Sequence, residues 1–372
     1  MRAFRRFPID DASQVGEARR AAQALATELA FDEESAGRLA LAVTELGTNL
    51  FRHVGPGREA ALLIGVDETT LRGGQDAQDG ANAAEGLGVQ VLSLDQGNGM
   101  DLSRCLQDGY STGGTAGTGL GAIRRMADRF GGFSAPQRGT VLAARFGPRT
   151  DRSRIGAPTA VASAINSAAD LAFDVGGLSL AAPGETVSGD AWALRRDHDQ
   201  GRERWSLAVA DGLGHGVDAA EASDKLMTLL ARADAAHLAS PAAFLERSHD
   251  SLRSTRGAAS AALSLTPDGP LLFAGAGNIS GRLISGVSDR TLLSQHGTLG
   301  VQIRRLQDVV YDWPPHAVLV LYSDGIVSRW SLEETPGLLQ ADPAVIAGWI
   351  LRDHLRGRDD ATVVVVRRQD RA

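Results

Sequence analysis

Four aspartates interrupt apolar, strand-like runs: Asp190 in "VSGDAW", Asp211 in "VADGLGHG", Asp324 in "LYSDGI" and Asp359 in "RDDATVVVV". Any one of them alone reads as a turn acid, since Asp-Gly pairs close turns readily. Four carboxylates at the strand ends of one sandwich mean more. If the sheets stack, these acids would converge on one rim and supply the all-oxygen donors that hard divalent cations take. Gly212, Gly214 and Gly216 leave the backbone beside Asp211 open enough for a carbonyl to join such a set.

A second constellation lies upstream. Glu45 and Asn49 are four residues apart on a helix expected from Glu34 to Arg52, so both leave one face, offset from the stripe of Leu39, Val43, Leu46 and Leu50. Two polar residues on an amphipathic helix are commonly just solvated; the segments downstream of them give the pair weight. Asp95 opens "DQGNGM" at a strand end, where a carboxylate can accept from the exocyclic amino group of a purine while Gly97 and Gly99 let the backbone approach the base. "STGGTAGTGLG", with Gly117, Gly119 and Gly121, then leads into a helix start whose free N–H groups suit phosphate oxygens. Thr140 comes next, in a "GT" that opens a strand. Asn49 would hold Mg2+ through its amide oxygen, with the metal bridging phosphates.

The elements that must position these residues can be read from periodicity. "AALLIGVD", "GVQVLSLD" and "GTVLAARF" predict strands, and "LGAIRRMADRF" (120–130) a helix after the glycine-rich loop. Residues 69–88 have almost no large apolar side chain and read as a mobile hairpin insert. From 148 to 171 small residues dominate, and the linker is placed there, with a helix-compatible stretch near 158–172 through which the chain could dimerise. Beyond it, "RWSLAVAD", "AASAALSLT", "PLLFAGAG", "AVLVLYSD" and "ATVVVVRR" predict strands, with helices over 218–235, 241–254 and 342–356 and a hairpin turn at "LTPDGPLL". Strands with helices grouped between them point to an α+β fold. The expected domains are therefore 1–147 and 172–372.

Composition narrows the function classes. A hydrophobic fraction of 43% is that of a globular chain, and a net charge of −7 with scattered arginines argues against nucleic acid. One cysteine, Cys105, excludes an internal disulfide and a thiolate zinc site. No apolar run approaches the ~20 residues of a membrane span, and the first residues reach proline and acids before any signal-type stretch, so a cytoplasmic location is expected.

In order and type, "TELGTN", "DQGNGM" and "GTGLG" resemble the N box and two glycine boxes of the GHKL ATPase family over residues 8–147. The stretch "CLQDGYSTGGTAGTGLGAIRRMADRF" is most similar to the serine kinases of the anti-sigma and stressosome class, in particular the switch kinase acting on STAS-domain proteins. That resemblance implies a two-layer α/β sandwich, ATP with Mg2+ bound by Asn49, Asp95 and the glycines, and Glu45 as general base on a substrate serine. Histidine kinase is disfavoured, because no phospho-acceptor hairpin fits before Glu45.

"SGD", "ADGLGHG", "SDG" and "DDAT" resemble, over about 172–368, the type 2C metal-dependent phosphatases, in the bacterial branch typified by SpoIIE. The resemblance implies an α-β-β-α sandwich with two Mn2+ or Mg2+ ions. Asp211 would bridge them and the Gly212 carbonyl join one; Asp190 would bind one ion, Asp324 and Asp359 the other, and a water activated between them would attack phosphoserine or phosphothreonine. His215 reads as solvent-facing, Asn278 as structural, and Asp360 as a neighbour of the ligands.

The expected function is a bifunctional switch, a serine kinase and an opposing phosphatase acting on STAS-domain partners. Two alternatives remain at this point. The ATPase half could capture a sigma factor as an anti-sigma module while the phosphatase reactivates the antagonist, or it could sense ATP without transferring phosphate.

Overall fold

The computed structural model describes residues 3–55, 57–67, 71–72, 87–107, 119–148, 171–199, 202–314 and 316–369. The N-terminal part runs β1 (Arg5–Pro8), α1 (Ala12–Glu28), α2 (Glu33–His53), β2 (Ala60–Asp67), β3 (Leu71–Arg72), β4 (Gly88–Asp95), α3 (Leu102–Cys105), α4 (Leu120–Met126), β5 (Arg129–Ala135) and β6 (Gly139–Phe146). Five of its strands form an antiparallel sheet in the order β1-β2-β4-β6-β5. Acids start its two long helices: Asp11 closes a capping box with Gln14, and Asp32 accepts from Ser35 N.

The C-terminal part runs β7 (Phe173–Leu180), β8 (Asp190–Asp199), β9 (Arg202–Gly212), α5 (Val217–Arg232), α6 (Pro241–Leu252), β10 (Ala258–Leu265), β11 (Leu271–Ala276) and β12 (Ser280–Ile284). It continues with β13 (Asp289–Leu292), β14 (Gly297–Thr298), β15 (Gln302–Ile303), β16 (Val309–Tyr311), β17 (Val318–Tyr322), α7 (Pro343–His354) and β18 (Ala361–Arg368). Two sheets stack here, β16-β11-β10-β9-β8-β3 and β13-β12-β17-β18-β7. Helices α5 and α6 cover the first and α7 the second, which makes the α-β-β-α sandwich.

Strand alternation sorts the side chains into layers. Leu319, Leu321, Val364 and Val366 face Leu207 and Val209 in the core between the two sheets, while Ala208 and Ala210 turn the other way and let α5 approach closely. Val318, Val320, Val363 and Val365 instead meet α7. The N-terminal sheet divides likewise: Val89, Val91, Leu142 and Ala144 meet α1 and α2. Its opposite face, with Leu92, Leu94, Val141 and Ala143, lies in the same cluster as α7.

One helix of the second part is thus shared by both. Pro343 to Leu351 are all buried, an all-round apolar helix of the kind that only a position between two layers can cover. Glycines make room for it. A Cβ on Gly176 of β7 would come within 2.2 Å of Ala344 N, and one on Gly348 within 2.8 Å of Leu92. Arg129 of β5 closes the boundary with ion pairs to Asp342 and Asp174, both at 2.5 Å, and Phe4 N donates to Ser179 O at 2.7 Å.

The structure departs from the sequence pattern in three places. The helix expected over 120–130 stops at Met126, and Arg129–Ala135 becomes β5, because pairing with β6 outweighs a helical run that loses its apolar period at Gly131 and Gly132. β7 forms the edge strand of the second C-terminal sheet beside β18, although Gly176 and Gly177 make it look like a loop; the glycines leave room for α7 and for Trp192. Most of the 69–88 insert lies outside the described residues, yet Leu71 and Arg72 pair in parallel with Arg195 and Arg196 at the edge of the first C-terminal sheet. The expected linker falls almost wholly outside the described residues, and so does the stretch proposed for dimerisation.

Because Ala344 N is backbone, it cannot swing aside for an added methyl. Gly176→Ala is expected to cost about 1–3 kcal/mol, as overpacking of a filled core does, and to lower the midpoint of urea unfolding. An unchanged midpoint in that variant would show that α7 is not seated on β7.

Candidate active sites

The first site gathers at one end of the N-terminal sheet. Asp95 ends β4 and is 8% exposed; its Oδ1 accepts from Gly97 N at 2.7 Å, and the Thr140 backbone N–H also reaches its carboxylate. Burial pushes the Asp95 carboxyl above its usual range, offset by those two N–H donors and by Arg352 and Arg58. Gly139 is obligatory here: at φ +82°, its Cβ would stand 2.0 Å from Asp95 O. Gly99, at φ +75°, lies similarly close to Ala135 O.

Glu45 and Asn49 are half-buried on α2, one turn apart, beside the buried Leu46 and Leu50. α2 lies across β2 and β4, and its C-cap residue Val54 sits beside Gly97. At about 1.5 Å per residue, Asn49 is therefore within about 8 Å along the helix axis of the Asp95 end. Gly119 caps α4 and Gly121 is buried in its first turn. Gly117 lies outside the described residues. The described part of this site thus offers an acid with free carboxylate capacity, an amide and a glycine-lined approach, which fit an aminopurine and a Mg2+-bound phosphate chain.

The second site forms on the rim of the two stacked sheets. Asp190 begins β8 and Asp211 ends β9, and the two are directly opposed in the ladder. Asp324 follows β17 and Asp359 precedes β18, strands that pair with each other. Ser323 Oγ donates to Asp190 Oδ2 at 2.6 Å, while Asp190 Oδ1 is buried with no hydrogen-bond partner. Asp360, 3% exposed, accepts from Ala182 N at 2.8 Å and braces the loop before β8. The peptide N–H of Asp360 in turn donates to Asp359 Oδ1 at 2.9 Å.

Putting these acids together is unfavourable unless something compensates. Burial first, and then the charge of Asp324, pushes Asp211 up to about 7; burial and Asp211 push Asp190 well above its usual range. Asn278 supplies part of the compensation: its Nδ2 donates to Asp211 at 3.2 Å and to Asp324 at 2.7 Å. Among the described residues no three such groups are already closed around one point. The donor chemistry nevertheless fits a hard divalent cation, since a buried, unpartnered carboxylate oxygen such as Asp190 Oδ1 is stable only against a proton or a cation.

Asn278 was legible only as a structural residue of the "GAGNISG" hairpin near this site; its bond to both acids was not, since an amide in a turn carries no mark of its partners. His215 is exposed, as expected of a glycine-loop residue, and its Nδ1 lies 2.7 Å from Glu185 Oε1.

Comparison with known proteins agrees with both halves. Residues 7–146 match the histidine kinase-like ATPase domain family, and residues 201–369 match the Stage II sporulation protein E (SpoIIE) family. The serine/threonine-protein kinase RsbT of Bacillus subtilis (strain 168) is 30% identical over 128 residues, which cover 34% of this chain and 84% of RsbT. Among solved structures, a chain from work on the bacterial stressosome as a system adapted to control secondary messenger signalling is 27% identical; the match covers 52% of this chain and 99% of that one, with a TM-score of 0.46. The phosphatase domain of Bacillus subtilis SpoIIE with a fragment of its regulatory domain is 18% identical, over 63% of this chain and 69% of that one, with a TM-score of 0.41.

The comparisons define a histidine kinase-like ATPase domain similar to a serine/threonine-protein kinase, joined to a SpoIIE-type phosphatase domain. Through its ATPase segment the chain belongs to the family of the serine/threonine-protein kinase RsbT. Among the described residues, no helix is long and apolar enough to cross a membrane.

The raised Asp211 fixes a pH dependence. Between its usual 3.8 and about 7 the folded protein keeps a proton that the unfolded chain has lost, so in EDTA stability falls as pH rises through that window. Asp211→Asn removes the effect. Its melting temperature relative to the parent should therefore rise from about pH 4 and level off above about pH 7; a pH-independent difference would contradict the burial of this charge.

Proposed function

We propose that the chain is a bifunctional switch that phosphorylates a serine on a STAS-domain partner and hydrolyses phosphoserine or phosphothreonine on a protein of the same pathway. The observation that carries the proposal is the joining, in one chain, of an RsbT-like segment to a SpoIIE-type segment, each with its own acid-lined site.

In the first site Asp95 holds the exocyclic amino group of adenine, and Thr140 with Gly97 and Gly99 keeps its carboxylate aimed and the backbone close. Gly119 and Gly121 line the phosphate approach. Asn49 would hold Mg2+ through its amide oxygen, and Glu45, one turn earlier, accepts the proton of the substrate hydroxyl as that oxygen attacks the γ-phosphorus in line. The bond to the β-γ bridging oxygen breaks and ADP leaves.

In the second site Asp211, the Gly212 carbonyl, Asp190, Asp324 and Asp359 would hold two Mn2+ or Mg2+ ions. When bound, the ions supply Lewis acidity for water attack on the phosphoryl group. Ser323 fixes the Asp190 rotamer, Asn278 spaces Asp211 from Asp324, and Asp360 holds the backbone that carries Asp359.

The test is a purified chain with ATP, Mg2+ and a STAS-domain substrate. Phosphoserine should accumulate, and the yield should rise severalfold in Asp211→Ala, where the opposing hydrolysis is lost. Glu45→Ala should lower the transfer rate about 100-fold or more, in the range of a general base. ATP binding without transfer in either the parent chain or Asp211→Ala would sink the kinase assignment.

A further inference from the structure

We propose that α7 couples the two sites, with Arg352 as the positioning residue through which the phosphatase part holds the Asp95 peptide of the nucleotide site. The inference rests on reading the first site as a nucleotide pocket. Arg352 lies in the last turn of α7, and its Nη1 donates to Asp95 O at 2.6 Å across 257 residues of sequence. The side chain is 4% exposed, and its guanidinium stacks 3.8 Å over the ring of Trp349. Trp349 in turn meets Phe133 of β5 edge-on, 5.1 Å between centroids. A buried guanidinium must find acceptors. This one gives Nε and Nη2 to the carboxylate of its neighbour Asp353, at 2.7 and 3.0 Å, and Nη1 to the carbonyl of the residue whose carboxylate faces the proposed adenine position.

The same stretch of chain reaches the other site directly. Beyond Arg352, His354 O accepts from Val327 N at 2.9 Å, and Arg356 N donates to Gly325 O at 2.8 Å. Gly325 follows Asp324, and a Cβ there would stand 2.0 Å from Asp360 O. Asp359 and Asp360 come three and four residues after Arg356. One short path therefore runs from the Asp95 peptide through Arg352 and the end of α7 to the two loops that carry Asp324 and Asp359.

The packing makes that path stiff. α7 is seated against backbone at Gly176 and against Leu92 and Leu94 at Gly348, so it cannot absorb a displacement at one end by sliding within a loose core. A base that binds the Asp95 carboxylate shifts the peptide Arg352 holds, and the loops beyond α7 must follow or resist. Either response makes nucleotide binding and the order of the acid loops thermodynamically linked, and the linkage is reciprocal.

Hydrogen–deuterium exchange on the full chain tests this, with and without ATP in buffers holding the same excess of Mg2+. ATP should change exchange in peptides covering 324–327 and 354–360 by about fivefold or more, the lower end of ordinary coupling between sites. Arg352→Ala should abolish that distant change while ATP still alters exchange near Asp95, and Arg352→Lys should restore part of it. If ATP binds and the changes stay confined to residues 45–140, or persist in Arg352→Ala, the coupling is overturned and the nucleotide reading stands. If calorimetry shows no ATP binding, the nucleotide reading fails and the coupling falls with it. The comparison of the parent chain with and without ATP decides the matter even if a variant does not fold.

Discussion

From Pro343 to Leu351 every residue of α7 is buried, and a helix with no polar face must be covered on all sides. That requirement organises the layers around it. The second C-terminal sheet turns Val318, Val320, Val363 and Val365 toward it, and the N-terminal sheet turns Leu92, Leu94, Val141 and Ala143 toward it from the other side. The layers run in the order α1/α2, N-terminal sheet, α7, two stacked sheets, α5/α6. Both sites sit at strand ends of this stack, where the backbone is set by neighbours and the side chains are free to do chemistry.

The acid cluster shows what such a frame is for. Asp190 and Asp211 are held opposite each other by the β8–β9 ladder, although burial and mutual repulsion disfavour their charges. Only a rigid scaffold can hold like charges this close, and a site under such electrostatic pressure is prepared to gain from a cation. At the Asp95 end the same logic runs on a smaller scale, with one buried carboxylate steadied by the backbone N–H groups of Gly97 and Thr140. With the two domains on a single chain, their copy numbers are equal, so expression alone cannot set the balance between them.

The sequence made the four acids and the order of the glycine segments legible, because each chemistry needs a defined residue type at a strand end and little else substitutes for it. The strands between them were legible where apolar runs were long. β7 and α1 were not: glycines made room for a neighbour in one, and alanines gave the other, through Ala18, Ala22 and Ala26, an apolar stripe too weak to read. Arg352 escaped for another reason: it contacts a backbone carbonyl, which leaves no mark in the residue it recognises. Asn278 was read as structural, but not as the amide that meets two carboxylates.

The sharing of α7 also has a consequence in time. Val141 leaves the ribosome about 200 residues before Pro343, and at about 5–20 residues per second the helix arrives some 10–40 s after the sheet it covers. Throughout that interval the face formed by Leu92, Leu94, Val141 and Ala143 has no native partner. The order of the two domains along the chain therefore leaves the nascent ATPase-type domain with an adhesive side that only α7 can close, and its yield in a cell depends on what shields that face meanwhile.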